Sequence, residues 1–407
     1  MPSAAAATVT HHPVITSDRA LRAGIVAWVA FAFIGWRGLL VPSLLRSIES
    51  SFVQSDAALG GYFLVTSLSY ALGCLAGGPL LRRLDARATA GLAGVTIAVG
   101  LVAQGLVPSW WLFVLAGVPS GMGAGVGEVA LNALYLDLFP GSRSRALNLL
   151  HLAFSVAALA APIVVALLVS AGVPWQWVMA GSGVSWLVVA GALIVATPRV
   201  VHPKVPAPAA TDPHAGRRLA SLPVALVLFA VAIACYVAAE AGASDWMIRF
   251  LADLPLTHAS LALTMFWGGI AVGRGIVARF GARLDPVRTA MLAVLAGAAL
   301  QAAAVLAPDP WLSIALFGMA GIAFGPVYPL IVAAAGTRMP DRTATVSSTL
   351  AFAAVAGVVV YSPAMGAISV GVGIGVAMLG TAVLALLSGV ALLGARRVSV
   401  GRAPGAA

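Results

Sequence analysis

The sequence RLDARATA at residues 83–90 recurs as RLDPVRTA at residues 283–290. The same offset of 200 residues relates further positions without a gap: Gly73 and Gly273, Trp111 and Trp311, and Gly121, Gly125 and Pro140 with Gly321, Gly325 and Pro340. A register kept over this length indicates an internal duplication. Both copies are mostly apolar, and duplicated sets of membrane spans are typical of secondary transporters, whose substrate sites lie between the two copies.

The composition predicts an integral membrane protein. Hydrophobic residues make up 61% of the 407 residues and charged residues only 9%, whereas soluble domains carry about 25% charge. The basic net charge of +10 could indicate a nucleic-acid partner. The arginines lie in short turns between apolar stretches, however, so membrane orientation explains them better. Cys74 and Cys235 lie inside apolar stretches and show no disulfide or metal-binding spacing, so no cofactor is expected.

Apolar stretches long enough to cross a bilayer, about 20 residues each, fill almost the whole chain. They predict an all-α membrane protein with twelve transmembrane helices in two pseudo-symmetric six-helix halves. Basic residues collect in alternate turns, which places both termini in the cytoplasm of a bacterial inner-membrane protein. The predicted parts are an N-terminal tail (1–21), a first half (22–196), a cytoplasmic linker (197–221), a second half (222–394) and a C-terminal tail (395–407).

This organisation resembles the major facilitator superfamily over essentially the whole chain. The turn GPLLRRLDAR at residues 78–87 resembles the glycine–acid–basic loop motif of that superfamily, with Arg82 where an Asp is usual. The resemblance implies gating roles for Arg83 and Asp85 and, in the second copy, for Arg283. Arg274, at the end of the eighth span, is a further candidate for gating or anchoring.

Several stretches are similar to the fucose-permease-type branch of the superfamily. They are GVGEVALN at 125–132, RALNLLH at 145–151, YVAAE at 236–240 with Trp246, and GPVYP at 325–329. The branch consists mostly of proton-coupled sugar carriers. The resemblance therefore implies a sugar-like or related polar substrate and proton coupling.

Charged residues deep inside the spans are the strongest site candidates, because a charge at mid-membrane costs about 2.5–3.5 kcal/mol even on insertion scales. Three residues meet this criterion: Arg37, Glu128 and Glu240. Such groups usually face a cavity or pair with each other.

Spans four and five are expected to form a hairpin that places a polar band near the midplane. Glu128 and Asn132 share one face of span four, while Asn148 and His151 share one face of span five. Counting from the turn, Glu128 is level with His151 and Asn132 with Asn148. The band could line the substrate cavity, or its members could merely satisfy each other as interhelical hydrogen bonds. We expect Glu128 to be the proton-titrating group and His151 to tune or relay it.

The remaining candidates allow two interpretations each. Arg37 could bind an anionic or hydroxyl-rich solute, or it could neutralise Glu128. Glu240 and Tyr236 could contact substrate or gate the outer end, although the spacing favours a Glu240 pair with Arg249. Tyr328 lies between two prolines in span ten, where a broken helix is expected to line the cavity. Weaker candidates for substrate contact are Gln104, Trp267, Gln301 and Tyr361.

Together these observations favour a monomeric secondary transporter embedded in membrane lipid. It would move a small polar solute by alternating access, by proton-coupled import. Efflux of drugs or metabolites by proton antiport is the alternative, and it predicts an aromatic, apolar cavity. An enzyme is not expected, since no nucleophile or metal cluster occurs at depth, and a sensor without flux is a third possibility.

Overall fold

The computed structural model describes residues 17–139, 143–197, 223–280 and 284–398. Within these ranges the protein is helical throughout, with one short 3-10 turn at Pro340–Arg342. The helices are α1 (Ser17–Phe52), α2 (Asp56–Arg83), α3 (Ala86–Leu106), α4 (Trp110–Leu138), α5 (Arg143–Ser170), α6 (Trp175–Ala196), α7 (Val224–Phe250), α8 (Leu256–Phe280), α9 (Pro286–Leu306), α10 (Pro310–Phe324), α11 (Val327–Arg338), α12 (Thr343–Val372) and α13 (Ile374–Arg397).

Twelve helical stretches are long and apolar enough to cross a membrane, with α10 and α11 together forming the tenth. Helices α1 to α6 pack mainly on one another, and so do α7 to α13. The two halves meet where α2 contacts α12, α5 contacts α8 and α1 contacts α7. This arrangement confirms the predicted fold class of a twelve-span helical membrane protein.

The repeated Arg-Leu-Asp sequence has a local structural reason in both copies. Asp85 is the N-cap of α3, and its side chain accepts a hydrogen bond of 2.6 Å from the amide of Ala88. Asp285 caps α9 in the same way, with 2.6 Å to the amide of Arg288. An N-cap carboxylate satisfies amides that have no partner in the first helical turn. The motif therefore fixes where the third span of each half begins.

Equivalent glycines set the same close packing in each half. A Cβ atom added to Gly121 would lie 2.7 Å from the carbonyl oxygen of Thr66, and one added to Gly321 would overlap that of Phe266, the residue equivalent to Thr66. Each contact joins the fourth span of a half to its second span. Gly125 and Gly325 likewise approach the backbone of α2 and α8. Small residues allow helix backbones to approach this closely, which explains why the glycines recur at an offset of 200.

The structure also departs from the predicted boundaries. Helix α1 begins at Ser17, inside the predicted tail, and α13 extends to Arg397, beyond the predicted second half. The predicted linker falls almost entirely outside the described residues. Trp246 is fully buried near the end of α7, where its indole nitrogen donates to the carbonyl of Ser362 at 2.9 Å.

Replacing Gly125 with Ala should lower the thermal stability of the purified protein, because the new methyl group would overlap the backbone of Tyr70. Overpacking of this kind costs about 1–3 kcal/mol. Gly325→Ala should have a similar effect through Ile270. The matched control is Gly61→Ala on α2, where an added Cβ meets no atom within 4 Å. Equal melting temperatures for all three variants would contradict the packing account.

Candidate functional site

We call the end of the bundle where α2 finishes and α3 begins, at Arg82, Arg83 and Arg87, the basic end, and the opposite end the far end. At the far end, charged residues join the two halves. Arg249 of α7 contacts Asp56 of α2 at 2.9 Å and Glu49 of α1 at 3.3 Å. Asp56 also accepts a hydrogen bond from Ser369 of α12. We call Glu49, Asp56, Arg249 and Ser369 the far-end cluster.

A second connection lies beside this cluster. Arg46 of α1 donates hydrogen bonds to the carbonyl oxygen of Leu254, at 2.8 Å, and to that of Ala252, both beyond the end of α7. Backbone contact is equally close nearby, since a Cβ added to Gly366 of α12 would overlap the carbonyl oxygen of Asp56. The two halves are therefore closed against each other at the far end.

The far-end cluster corrects one interpretation of the sequence. Glu240 and Arg249 do not form the pair that their spacing allowed, because Arg249 forms ion pairs with Asp56 and Glu49 instead. The Glu240 carboxylate instead accepts a hydrogen bond from Tyr236, one turn earlier on the same helix. Glu240 therefore lies with Tyr236 on its own helix and is not part of the far-end cluster.

Glu128 is held from the neighbouring helix α2. Its carboxylate accepts a hydrogen bond of 2.5 Å from the hydroxyl of Tyr70. Asn132 turns back on its own helix and donates to the backbone carbonyl of Glu128 at 2.8 Å. A Tyr hydroxyl can donate to a carboxylate or accept from a carboxylic acid, so this pair can exist with or without a proton on Glu128.

The side chains of His151 and Asn148 have surroundings different from those of the Glu128 side chain. The His151 ring packs edge-on against Phe31 of α1, with 5.0 Å between ring centres, and both His151 and Asn148 are exposed. Glu128 and His151 share no hydrogen bond within the described ranges. Direct interhelical bonding among the four predicted residues therefore does not explain why they are polar.

The broken tenth span brings further polar groups to the interface between the halves. Residue 329 is Pro and has no amide hydrogen, so the carbonyl of Gly325 lacks the donor that a continuous helix would supply. Arg274 of α8 supplies one instead, with its Nε at 3.3 Å from the Gly325 oxygen. Its Nη1 donates to Ser155 Oγ of α5, also at 3.3 Å. Arg274 thus bridges the two halves and does not reach for the membrane surface.

Tyr328 lies near enough to both acidic groups to be influenced by their charges. It is partly buried just after the break, and the charges of Glu128, Glu240 and Arg274 all act on it. At the duplication offset of 200 residues Tyr328 is the counterpart of Glu128. The Tyr236 hydroxyl, next to Glu240, also lies 3.1 Å from the carbonyl of Phe324, the last residue of α10. We call these groups the Glu128 level; its members are Tyr70, Glu128, Tyr236, Glu240, Arg274 and Tyr328.

A second polar level lies nearer the far end. Arg37 of α1 donates from Nε to Ser120 Oγ of α4 at 3.0 Å. Across the interface, Asp245 of α7 accepts a hydrogen bond from Ser362 of α12. The charges of Arg37 and Asp245 act on each other and on Tyr62. We call Arg37, Tyr62, Ser120, Asp245 and Ser362 the Arg37 level.

The two levels are separated along the bundle axis. Ser120 and Glu128 are eight residues apart on α4, and Tyr62 and Tyr70 are eight apart on α2. At about 1.5 Å per residue, this spacing corresponds to about 12 Å. Arg37 therefore does not neutralise Glu128 by direct contact, and the two form no ion pair in the described part of the chain.

Sequence reasoning missed Asp245, Tyr70 and Asp56. Asp245 lies five residues before the end of α7 at Phe250, and its hydrogen bond from Ser362 joins it to α12. For Tyr70 the signal was present, since Gly73 one turn later marks the face of α2 that packs on α4. The predicted gating residues Arg83 and Asp85 lie at the basic end, where Arg83 is exposed and Asp85 caps α3. Arg283 lies outside the described residues.

A separate apolar groove of about 550 Å³ opens on the outer surface of the first half, between α1, α5 and α6. Its lining includes Trp28, Phe33, Trp36 and Trp177. The groove is distinct from the two polar levels, and its apolar walls offer nothing for charged chemistry. We therefore place the candidate site between the halves. No group of three or more metal-binding side chains occurs in the described ranges.

Comparisons with known proteins agree with this architecture. A family model for the Major Facilitator Superfamily matches residues 25–254. The "Protein TsgA homolog" of Erwinia tasmaniensis is 27% identical over 193 residues, which cover 47% of this chain and 46% of that protein. The match therefore spans about half the length of that relative.

Solved structures are similar over nearly the whole chain. A bacterial homologue of the human lysosomal transporter Spinster, in an inward-facing and unoccupied conformation, has a TM-score of 0.76 at 16% identity and covers 95% of this chain and 99% of its own. The nucleoside transporter NupG has a TM-score of 0.76 at 11% identity, covering 93% and 99%. The fucose:proton symporter FucP of E. coli has a TM-score of 0.63 at 17% identity, covering 92% and 98%. At these identities the likeness concerns the fold.

The far-end cluster predicts coupled effects of mutation on stability. Asp56→Asn and Arg249→Gln should each lower the melting temperature, because each removes one charge from the contact between Asp56 and Arg249. The double variant should be less destabilised than the sum of the two, with a coupling of about 0.5–3 kcal/mol.

The control pair combines Arg249→Gln with Asp309→Asn, which alters the N-cap of α10 away from the interface. Those two effects should add. If the effects of Asp56→Asn and Arg249→Gln on the melting temperature also add, the contact between these two residues contributes nothing to stability.

Proposed function

Because this chain belongs to the Major Facilitator Superfamily, we propose that it is a proton-coupled carrier that imports a small polar solute by alternating access of its two six-helix halves. The family and the transporter folds that it resembles make it a multi-pass membrane transporter rather than an enzyme. Proton coupling, the direction of transport and the bacterial inner membrane belong to the proposal. So does an orientation with the basic end in the cytoplasm, which rests on the positive-inside rule.

The single observation that supports the proposal best is the placement of ionisable side chains from both halves on their shared interface. The charges of Glu128 from one half and Glu240 from the other both act on Tyr328, and Arg274 reaches across to Ser155. Groups on such an interface change their partners when the halves rock, so their protonation can be linked to the conformation. A purely structural bundle would not need charges there, given their cost in the membrane.

Closure at the far end defines the state of the carrier in this proposal. With Arg249 bound to Asp56 and Glu49, the solute would reach both polar levels from the basic end. If the basic end is cytoplasmic, this conformation is the inward-facing one.

Glu128 is the proposed proton-binding group. When protonated, it would form a neutral pair with Tyr70 and cost little to carry through the membrane centre; when ionised, it would favour access to water. His151 as a relay, and Asn132, Asn148, Tyr236, Glu240 and Tyr328 as substrate contacts, stay predictions of the same proposal. A sugar-like substrate is supported only by the sequence resemblance and by the fold shared with FucP. Export by antiport would instead require an apolar cavity, and the two polar levels argue against it.

Glu128→Gln should uncouple transport from the proton gradient, because the amide imitates a carboxyl group that is always protonated. In liposomes of purified protein, solute-driven proton movement should fall to the level of empty liposomes, while exchange of labelled for unlabelled solute continues. The solute is chosen as the one that raises the melting temperature most. Unchanged pH dependence of uptake in this variant would contradict the assignment.

Glu240→Gln is the matched control, since it makes the same chemical change in the other half. It should alter the apparent affinity for solute and retain proton movement. If Glu240→Gln abolished proton movement and Glu128→Gln did not, the proton-binding role would belong to Glu240.

A further inference from the structure

The Arg37 level contains two opposite charges, one from each half, that form no ion pair in the described part of the chain. Arg37 comes from α1 in the first half and Asp245 from α7 in the second, and each acts electrostatically on the other. Their hydrogen bonds go to neutral side chains, to Ser120 for Arg37 and to Ser362 for Asp245. Within the described ranges neither residue has a direct ionic partner.

The free donors and acceptors of this pair point to a ligand. Arg37 uses only its Nε, so its two Nη atoms make no hydrogen bond to any described residue. These atoms form the planar fork that binds a carboxylate through two parallel hydrogen bonds. Asp245 uses only Oδ2, which leaves Oδ1 as an acceptor for a cationic donor.

The position of the pair suits a bound solute. Asp245 lies one turn before Arg249 on α7, so the far-end cluster closes the bundle just beyond it. Trp246 seals the same region through its contact with Phe63, with 5.7 Å between ring centres. The pair therefore occupies the closed end of the interface between the halves, where water is restricted and ionic contacts are strongest.

We propose that Arg37 and Asp245 bind a small zwitterion between the two halves, with Arg37 holding its carboxylate and Asp245 its ammonium group. A neutral sugar would leave both charges without an ionic partner, at a cost that neutral hydrogen-bonding residues would avoid. A simple anion would pair only with Arg37, and a simple cation only with Asp245. A zwitterion pairs with both residues at once and joins the two halves. Its binding is therefore linked to the relative position of the halves.

This inference rests on the proposed transport function for its physiological meaning, but it can be tested by binding alone. Thermal unfolding of the full-length protein in detergent would be followed with alanine, γ-aminobutyrate and glycine betaine as free zwitterions. Three comparison ligands lack one or both charges: propionate carries only a carboxylate, ethylamine only an amine, and fucose no charge. A ligand present at 100 times its Kd should raise stability by about 2.7 kcal/mol, enough to shift the melting temperature.

The expected result is stabilisation by at least one zwitterion, with the matching acid and amine binding at least about tenfold more weakly. Asp245→Asn should reduce the affinity for that zwitterion by about tenfold or more and leave the affinity for propionate within about twofold. Arg37→Gln should produce the converse pattern with ethylamine. A pair that only gates the carrier would change affinity for all ligands alike.

Stabilisation by fucose alone, or by none of these compounds, would overturn the proposal. So would a zwitterion whose affinity is the same in Asp245→Asn as in the native protein. The comparison of ligands in the native protein needs no variant and stands even if a variant fails to fold. Zwitterion binding without flux in liposomes would contradict the transport function but support the zwitterion site. Transport of fucose without zwitterion binding would support the transport function but contradict the zwitterion site.

Discussion

The cost of placing charge in hydrocarbon governs this structure. A helix that carries Arg37, Glu128 or Glu240 at depth must turn that side chain toward protein, because lipid offers it no partner. The chain satisfies this demand by collecting the charged groups on the surface that its two halves share. Each half then has an apolar exterior for lipid and a polar inner face, and the two inner faces complete each other.

The duplicated glycines allow this arrangement. Close approach of α4 to α2 and of α10 to α8 makes each half compact, and in the first half it brings Tyr70 to within 2.5 Å of Glu128. In the second half the equivalent helix is broken before Val327, and Arg274 bonds the carbonyl that the break leaves free. The same packing therefore produces different polar groups in the two halves: a carboxylate at 128 and a phenol at 328. This difference makes the inner faces complementary rather than identical.

The fold could be predicted from the sequence because its signals are local and repeated. Hydropathy gives the spans, the offset of 200 residues gives the two copies, and the prolines at 326 and 329 give the break in span ten. Partners across the interface could not be predicted in this way. Spacing along one helix suggested a Glu240 pair with Arg249, yet tertiary packing joins Arg249 to Asp56, 193 positions away. The rotation of each helix about its axis decides such contacts, and an apolar span with small residues on several faces leaves that rotation undetermined.

The central claim, that the halves alternate in opening at their two ends, is tested most directly by distances between spin labels. One pair of labels would replace Gly61 of α2 and Gly371 of α12 at the far end, and another Gly78 of α2 and Gly275 of α8 near the basic end. At none of these positions would an added Cβ meet another part of the bundle within 4 Å, apart from the flexible Arg82 side chain next to Gly78. Cys74 and Cys235 would first be replaced by Ser. The account predicts that Asp56→Asn lengthens the far-end distance and shortens the basic-end distance in the same sample. Distances that do not change, or that change in the same direction at both ends, would contradict alternating access.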